Sequence, residues 1–161
     1  MASQEISLLD LARNGDLEAF QKVFNEPEGY HKVLNEKDEY SQSTPFHMAA
    51  ANGHHELLKL LIENIPENLR KENVNAVNYT GNTALHWAAL TGSLECVKLL
   101  CEAGADPLLR NSSGIDSCYQ ADTSANEEVA SYLYSLVDVP EGDEDEIENE
   151  QEQEGHQEQQ Q

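Results

Sequence analysis

The apolar positions of this chain fall into two nearly matching blocks. Glu56-Leu57-Leu58-Lys59-Leu60-Leu61 and Glu95-Cys96-Val97-Lys98-Leu99-Leu100 each set an acid ahead of apolar residues at i, i+3, i+4 spacing, the period of a helix with one buried face. A second pattern precedes each block. Thr44-Pro45-Phe46-His47-Met48-Ala49-Ala50-Ala51-Asn52-Gly53 returns as Thr83-Ala84-Leu85-His86-Trp87-Ala88-Ala89-Leu90-Thr91-Gly92. Thr44 and Thr83 can cap a helix through their hydroxyls, and Pro45 suits a first helical position. Gly53 and Gly92 can take the positive φ that ends a short helix. The pattern therefore predicts helix pairs, a short Ala-rich helix followed by a Leu-rich one, with the alanines letting neighbouring helices approach closely.

Fainter copies flank these two. Ala12-Arg13-Asn14-Gly15-Asp16-Leu17-Glu18 keeps the frame, continued by Phe20, Val23 and Phe24. Gly114 to Ala121 occupies it again and leads to Glu128-Val129 and Tyr132-Leu133. Aligning the second alanine position gives residues 12, 50, 89 and 122, at intervals of 38, 39 and 33. The two longer intervals predict loops at 25–37 and 64–73, where Pro27 and Pro66 stop the preceding helices. The Thr-Pro-Phe-His-x-Ala core, with a period of about 33 residues, is the ankyrin signature. The expected fold is an all-α solenoid over residues 5–137, with about four repeats near 5–25, 41–65, 80–104 and 113–136. The two degenerate copies are terminal, as capping repeats must be.

Charge adds a direction. Of 161 residues, 31 are Asp or Glu and 9 are Lys or Arg, a formal net charge of −22. Residues 138–161 hold 11 acids and no base, so this tail and the remaining body each carry −11. From Glu141 on, the tail has Ile147 as its one large apolar side chain, and it is expected to be disordered, because little burial is available to offset ordering entropy. Such acidity argues against contact with nucleic acid, whose phosphates bind through Lys and Arg, and against anionic membrane surfaces. A basic partner fits. Met1 to Asp10 shows no basic region followed by an apolar stretch, so no secretory leader is expected. Cys96, Cys101 and Cys118 are odd in number and lack metal-ligand spacing, which suggests reduced thiols in a cytosolic or nuclear protein.

Candidate chemistry is sparse. His47 and His86 sit inside the repeat motif, where an imidazole typically bonds backbone between repeats. His54 and His55 are adjacent rather than four apart and cannot chelate together on a helix. Cys96 and Cys101 fall on a second helix as small hydrophobes. No phosphate-cradling glycine pattern occurs, and the acidic tail lacks the alternation of a defined calcium loop. No enzymatic activity, cofactor or metal is expected.

What remains is surface. A stack of this kind presents a concave face built from loop tips and first helices. Tyr40 and Tyr79 occupy equivalent loop-tip positions, with Asp38 and Glu39 beside the first. Tyrosine supplies large contact area with few rotors. Leu90 is apolar where the frame expects solvent or a partner, with Asn52 and Thr91 at neighbouring variable positions and Ile115 and Asp116 in the last repeat. Trp87 follows the motif histidine, where packing and binding both fit. The candidate protein-binding residues are thus Asp38, Glu39, Tyr40, Asn52, Tyr79, Trp87, Leu90, Thr91, Ile115 and Asp116.

A narrower resemblance lies in Met48-Ala49-Ala50-Ala51-Asn52 before Gly53, in Gly81-Asn82-Thr83-Ala84-Leu85-His86-Trp87-Ala88, and in Val97-Lys98-Leu99-Leu100-Cys101. It continues in Ala105-Asp106-Pro107 with Arg110-Asn111, and in the acidic run after Val139-Pro140. In these the chain resembles the small fungal ankyrin-repeat chaperones dedicated to ribosomal protein S three of the small subunit. The resemblance implies a monomer that forms a one-to-one complex with a newly made basic ribosomal protein, keeps it soluble and accompanies it from cytoplasm to nucleus. Two other readings are compatible with the residues alone. One is an ankyrin adaptor or inhibitor of a kinase or transcription factor; the other is an acidic histone-type chaperone acting through its tail.

Overall fold

The computed structural model describes residues 6–137; the expectation of disorder for 138–161 lies outside them. Within this range the chain forms ten helices and no strand. The first repeat supplies α1 (Leu8–Asn14) and α2 (Leu17–Phe24), followed by α3 (Gly29–Asn35). The second supplies α4 (Pro45–Ala51) and α5 (His55–Glu63), followed by α6 (Glu67–Val74). The third contributes α7 (Ala84–Thr91) and α8 (Leu94–Glu102), and the fourth α9 (Ser117–Thr123) and α10 (Glu127–Leu136). α1, α4, α7 and α9 stack in an inner row, while α2, α5, α8 and α10 stack behind them.

Each inner helix starts on a side chain that accepts a backbone amide: Ser7, Thr44, Thr83 and Asp116. At Thr44 and Thr83 the exchange is reciprocal, because the motif histidine three residues on accepts from the threonine amide. Ala12, Ala49, Ala50, Ala88, Ala89 and Ala121 are fully buried, which brings the inner helices close together. The outer helices fill the space behind with Phe20, Leu57, Leu58, Leu61, Val97, Leu100 and Leu133. One exception to the alanine frame is informative. Asp122 takes the second alanine position of the last repeat and is exposed, because among the described residues no further helix packs there.

The turn between paired helices requires a left-handed residue. Gly15 and Gly92 supply it, and each also makes room for a polar side chain of the next repeat. A Cβ on Gly15 would lie 2.7 Å from His54 Nδ1, and one on Gly92 would lie 2.6 Å from Asn126 Oδ1. Those side chains in turn tie the repeats together. His54 Nε2 donates to the Arg13 carbonyl at 2.8 Å, and Asn126 Nδ2 donates to the Ala89 carbonyl at 2.7 Å.

The two insertions differ from the sequence expectation of loops. Both fold into helices, because each carries apolar residues on one face. α3 buries Val33 and half-buries Leu34, and α6 buries Val74 and half-buries Leu69. Pro66 does not merely stop α5; it stands at the N-cap of α6. Asn75, just past α6, then bonds forward across the stack. Its Nδ2 donates to the Gly104 carbonyl at 3.0 Å, and its Oδ1 accepts the Asp106 amide at 2.8 Å.

Candidate functional site

The loops ahead of α4, α7 and α9 form a row of fingers, each bent by one side-chain acceptor. Asn78 Oδ1 accepts the amides of Thr80 and Asn82, and Asn111 Oδ1 accepts those of Ser113 and Ile115. Asp38 plays this part in the first finger, where its Oδ1 accepts from Ser41 at 2.7 Å and Tyr40 at 3.1 Å. The Ser41 and Tyr40 bonds stabilise the ionised carboxylate and hold its pKa below the usual value. The first finger is one residue longer than the others, closing from Asp38 to Ser43 where they close from Asn78 to Asn82 and from Asn111 to Ile115. Tyr40 and Tyr79 therefore match when counted back from the capping threonines, but not when counted from the turn acceptors.

The fingers are laced to each other through backbone. The Tyr79 amide donates to the Ser41 carbonyl at 2.7 Å, and the Ser112 amide donates to the Thr80 carbonyl at 3.0 Å. Underneath, the motif histidines bridge the same repeats. His47 Nε2 donates to the Asn82 carbonyl and His86 Nε2 to the Ile115 carbonyl, both at 2.8 Å. Burial pushes His47 down to about 4 and lowers His86 as well, so both rings are neutral at neutral pH. Each histidine is thus a rivet between repeats, as the motif position suggested.

On this frame the side chains expected to bind a protein sort into two groups. Tyr40 and Tyr79 project from the finger tips at 86% and 80% exposure, and Glu39 is exposed beside Tyr40. Leu90 and Thr91 are exposed on α7, and Asn52 is exposed where α4 ends. The others carry structural duties. Asp38 bends its finger, Asp116 caps α9 through the Tyr119 amide, and half-buried Ile115 offers its carbonyl to His86. Trp87 is half-buried and packs against the core, as Met48 does. Asn52 and Thr91 spend their polar groups on the carbonyls of Met48 and Trp87 at the ends of their own helices.

A feature of the whole face emerges only when elements are placed in space. Residues 38–55, 78–94 and 111–126, which contain the three fingers and α4, α7 and α9, include no Lys or Arg. Every cation from repeat two onward lies on α5, α6, α8 or at Arg110. Arg13, on α1, is the one base of the inner row, and its Nη1 donates to Asp10 at 2.6 Å. Sequence counting found the acidity but not this segregation, which depends on knowing which helix faces which way. Sequence reasoning also passed over Tyr119 on α9, which is 56% exposed.

The histidines and cysteines weighed for chemistry are engaged in packing and in contacts between repeats. His54 and His55 diverge as their adjacency required, His54 to Arg13 and His55 to Glu95 at 2.9 Å. Burial pushes the Cys101 thiol up to about 12 and that of Cys118 to about 11, far from a reactive thiolate. Among the described residues, no three His, Cys, Asp or Glu side chains converge as a metal site would need.

Residues 8–111 match the family model described as ankyrin repeats in three copies. The chain belongs to the ankyrin-repeat family. The matched stretch ends before α9 and α10, which continue the ankyrin stack as its fourth pair. Among curated proteins the chain is similar to the ankyrin repeat-containing protein YAR1 of Saccharomyces cerevisiae. The two are 43% identical over 151 residues, spanning 90% of this chain and 75% of the relative. Among solved structures it resembles a chain in the crystal structure of the yeast ribosomal protein Rps3 in complex with its chaperone Yar1. That match has a TM-score of 0.77 and 42% identity, covering 83% of this chain and 93% of the other. The ankyrin concave side, with its finger tyrosines and no free cation beyond α1, is therefore the face to consider for a partner.

Proposed function

We propose that this protein is a dedicated, non-enzymatic chaperone for a basic ribosomal protein, the counterpart of Rps3, which it keeps soluble until small-subunit assembly. The observation that carries this reading is the 42% identity, over 83% of this chain and 93% of the other, to a chain from the Rps3 and Yar1 complex. The charge distribution supplies a mechanism. A newly made ribosomal protein exposes Lys and Arg destined for RNA phosphates, and these need counter-charges in the interim. The finger and inner-helix side carries Asp38 and Glu39 at the first finger and Asp116 and Asp122 at α9, with Arg13 of α1 as its one cation, so approach of a basic segment is attractive at both ends of the row. Glu39 lies where a partner's cation would meet the first finger, while Tyr40, Tyr79 and Leu90 provide desolvated contact that fixes register. The protein acts as a monomer in a one-to-one complex, and it accompanies its partner from cytoplasm to nucleus.

Affinity purification of the tagged protein, followed by mass spectrometry, tests the reading. Stoichiometric recovery of the Rps3 counterpart is the expected result. Recovery of a kinase or a transcription factor in its place would overturn it.

A further inference from the structure

Repeat stacks usually close with a polar outer face, because the last helix pair has no neighbour to cover it. The C-terminal end of this stack is different. α9 packs on α7, α10 packs on α8 and α9, and no element follows among the described residues. Yet Tyr119, Tyr134 and Leu136 are all exposed there. Tyr119 and Asp122 lie three residues apart on α9 and share a face, as Glu127, Ala130 and Tyr134 do on α10. The Tyr134 hydroxyl donates to the Asp122 carboxylate, joining the two rows across an open cleft that Glu127 and Ala130 also line.

The charge on α9 and α10 themselves is one-sided, and the neighbouring Lys98 of α8 lies over the Tyr132 ring, on the side of α10 turned away from Glu127, Ala130 and Tyr134. Residues 111–137 contain Asp116, Asp122, Glu127 and Glu128 and no Lys or Arg. Neither Asp122 nor Glu127 has an ion-pair partner among the described residues. Three occupants can be compared on this basis. The chain's own tail begins one residue beyond Val137 with 11 acids and no base, so like charge makes it a poor match for the face. A second copy would set the same carboxylates against each other in a chain of net charge −22. A segment bearing Lys or Arg meets both demands, since its cation answers the carboxylates and its apolar stem lies along the tyrosine rings. α9 is also the last inner helix, so one basic chain can run from the finger row around to this end without a gap.

We propose that the α9–α10 end face is a second docking surface for the basic partner, holding a Lys- or Arg-bearing segment between Asp122, Glu127, Tyr119 and Tyr134. The proposal rests on the chaperone reading above. It is tested by titrating the purified Rps3 counterpart into the full-length protein and into three double variants: Tyr119→Ser with Tyr134→Ser, Asp122→Asn with Glu127→Gln, and Tyr40→Ser with Tyr79→Ser. Both end-face variants should weaken binding about tenfold at 0.15 M salt with the circular-dichroism melt retained, and their losses should add to that of the finger variant, as for separate contact regions. If the tyrosine variant unfolds, the isosteric Asp122→Asn/Glu127→Gln variant carries the test. End-face variants that bind like the parent, beside a weakened finger variant, would overturn the proposal and leave the chaperone reading standing. A parent protein that does not bind the Rps3 counterpart at all would overturn both. A dimer seen by sedimentation and abolished by Tyr119→Ser/Tyr134→Ser would instead assign the face to a second copy. Hydrogen-exchange protection of α10 that vanishes on deleting residues 138–161 would assign it to the tail. Either outcome overturns the proposal.

Discussion

At His47 both ring nitrogens are committed: Nδ1 accepts from the Thr44 amide at 3.1 Å, and Nε2 donates to the Asn82 carbonyl at 2.8 Å. A proton added to the ring must enter at Nδ1 and would face an amide donor there, in a site almost closed to water. Burial accordingly lowers the pKa from 6.5 to about 4. The folded state then binds fewer protons than the unfolded state between these values, so stability is complete above about pH 6.5 and is lost as pH falls toward 4. The full shift corresponds to about 3 kcal/mol for this one residue. His86 adds loss in the same direction, since its pKa is lowered too. Urea midpoints at pH 7, 5.5 and 4.5 should fall in that order, and His47→Gln should be less stable at pH 7 but show a shallower decline. A flat profile would count against the neutral-rivet role. A second residue-scale prediction concerns backbone strain. Gln42 and Ala125 sit at φ 60° and 57°, where other repeats place Gly81, Gly114, Gly53 and Gly92. Gln42→Gly or Ala125→Gly should each raise stability by about 1 kcal/mol, visible as a higher melting temperature, because a side chain at left-handed φ costs on that order.

At the scale of elements, the repeat frame was legible because each motif position has one physical job. Capping hydroxyls, a turn glycine, paired alanines and an i, i+3, i+4 apolar run recur in register, and the described residues hold four helix pairs, α1–α2, α4–α5, α7–α8 and α9–α10. The insertions were not legible for a matching reason. α6 reads Glu-Asn-Leu-Arg-Lys-Glu-Asn-Val, and only Leu69 and Val74 are apolar, too few for a periodicity to stand out from a polar loop. Its helix is justified by what it reaches rather than by its own pattern. Asn75 at its end makes two bonds to the third repeat, at 3.0 Å and 2.8 Å. Asn75→Ala should therefore cost about 1–2 kcal/mol, since it removes both and leaves the Asp106 amide to find water. Guanidinium titration reads this directly, and a loss below the measurement error would mean that α6 is decoration on the stack. The candidate site divides similarly. Tyr40 and Tyr79 stood out in sequence as loop-tip aromatics and Leu90 as an apolar residue at a solvent position, whereas Tyr119 and Tyr134 did not, because their exposure depends on α9 and α10 being the last helices among the described residues.

The whole molecule turns on how its negative charge is shared between the repeat stack and the acidic residues that follow it. Residues 1–137 and 138–161 each carry −11, but only the first half is attached to finger tyrosines and a rigid helix stack. Screening falls from about 30 Å at 0.01 M salt to about 8 Å at 0.15 M and about 3 Å at 1 M. Contacts made on the ankyrin surface act within a few ångströms and are partly desolvated, while the net charge of residues 138–161 acts over the screening length. The two contributions should therefore separate by salt and by rate. For the full-length protein and the Rps3 counterpart, raising salt from 0.05 M to 0.5 M should weaken binding by roughly tenfold or more, chiefly through slower association. Deleting 138–161 should reduce the association rate at low salt, yet leave the dissociation rate within about twofold, because the tail adds attraction rather than fitted contact. Stopped-flow measurement of both rates across the salt series distinguishes the cases. A truncated protein that no longer binds at 0.15 M salt would make the tail the binding element, with the repeats as its carrier. A complex indifferent to salt would instead require an apolar interface, and the lack of cations on the inner face beyond Arg13 would then have no part in choosing the partner.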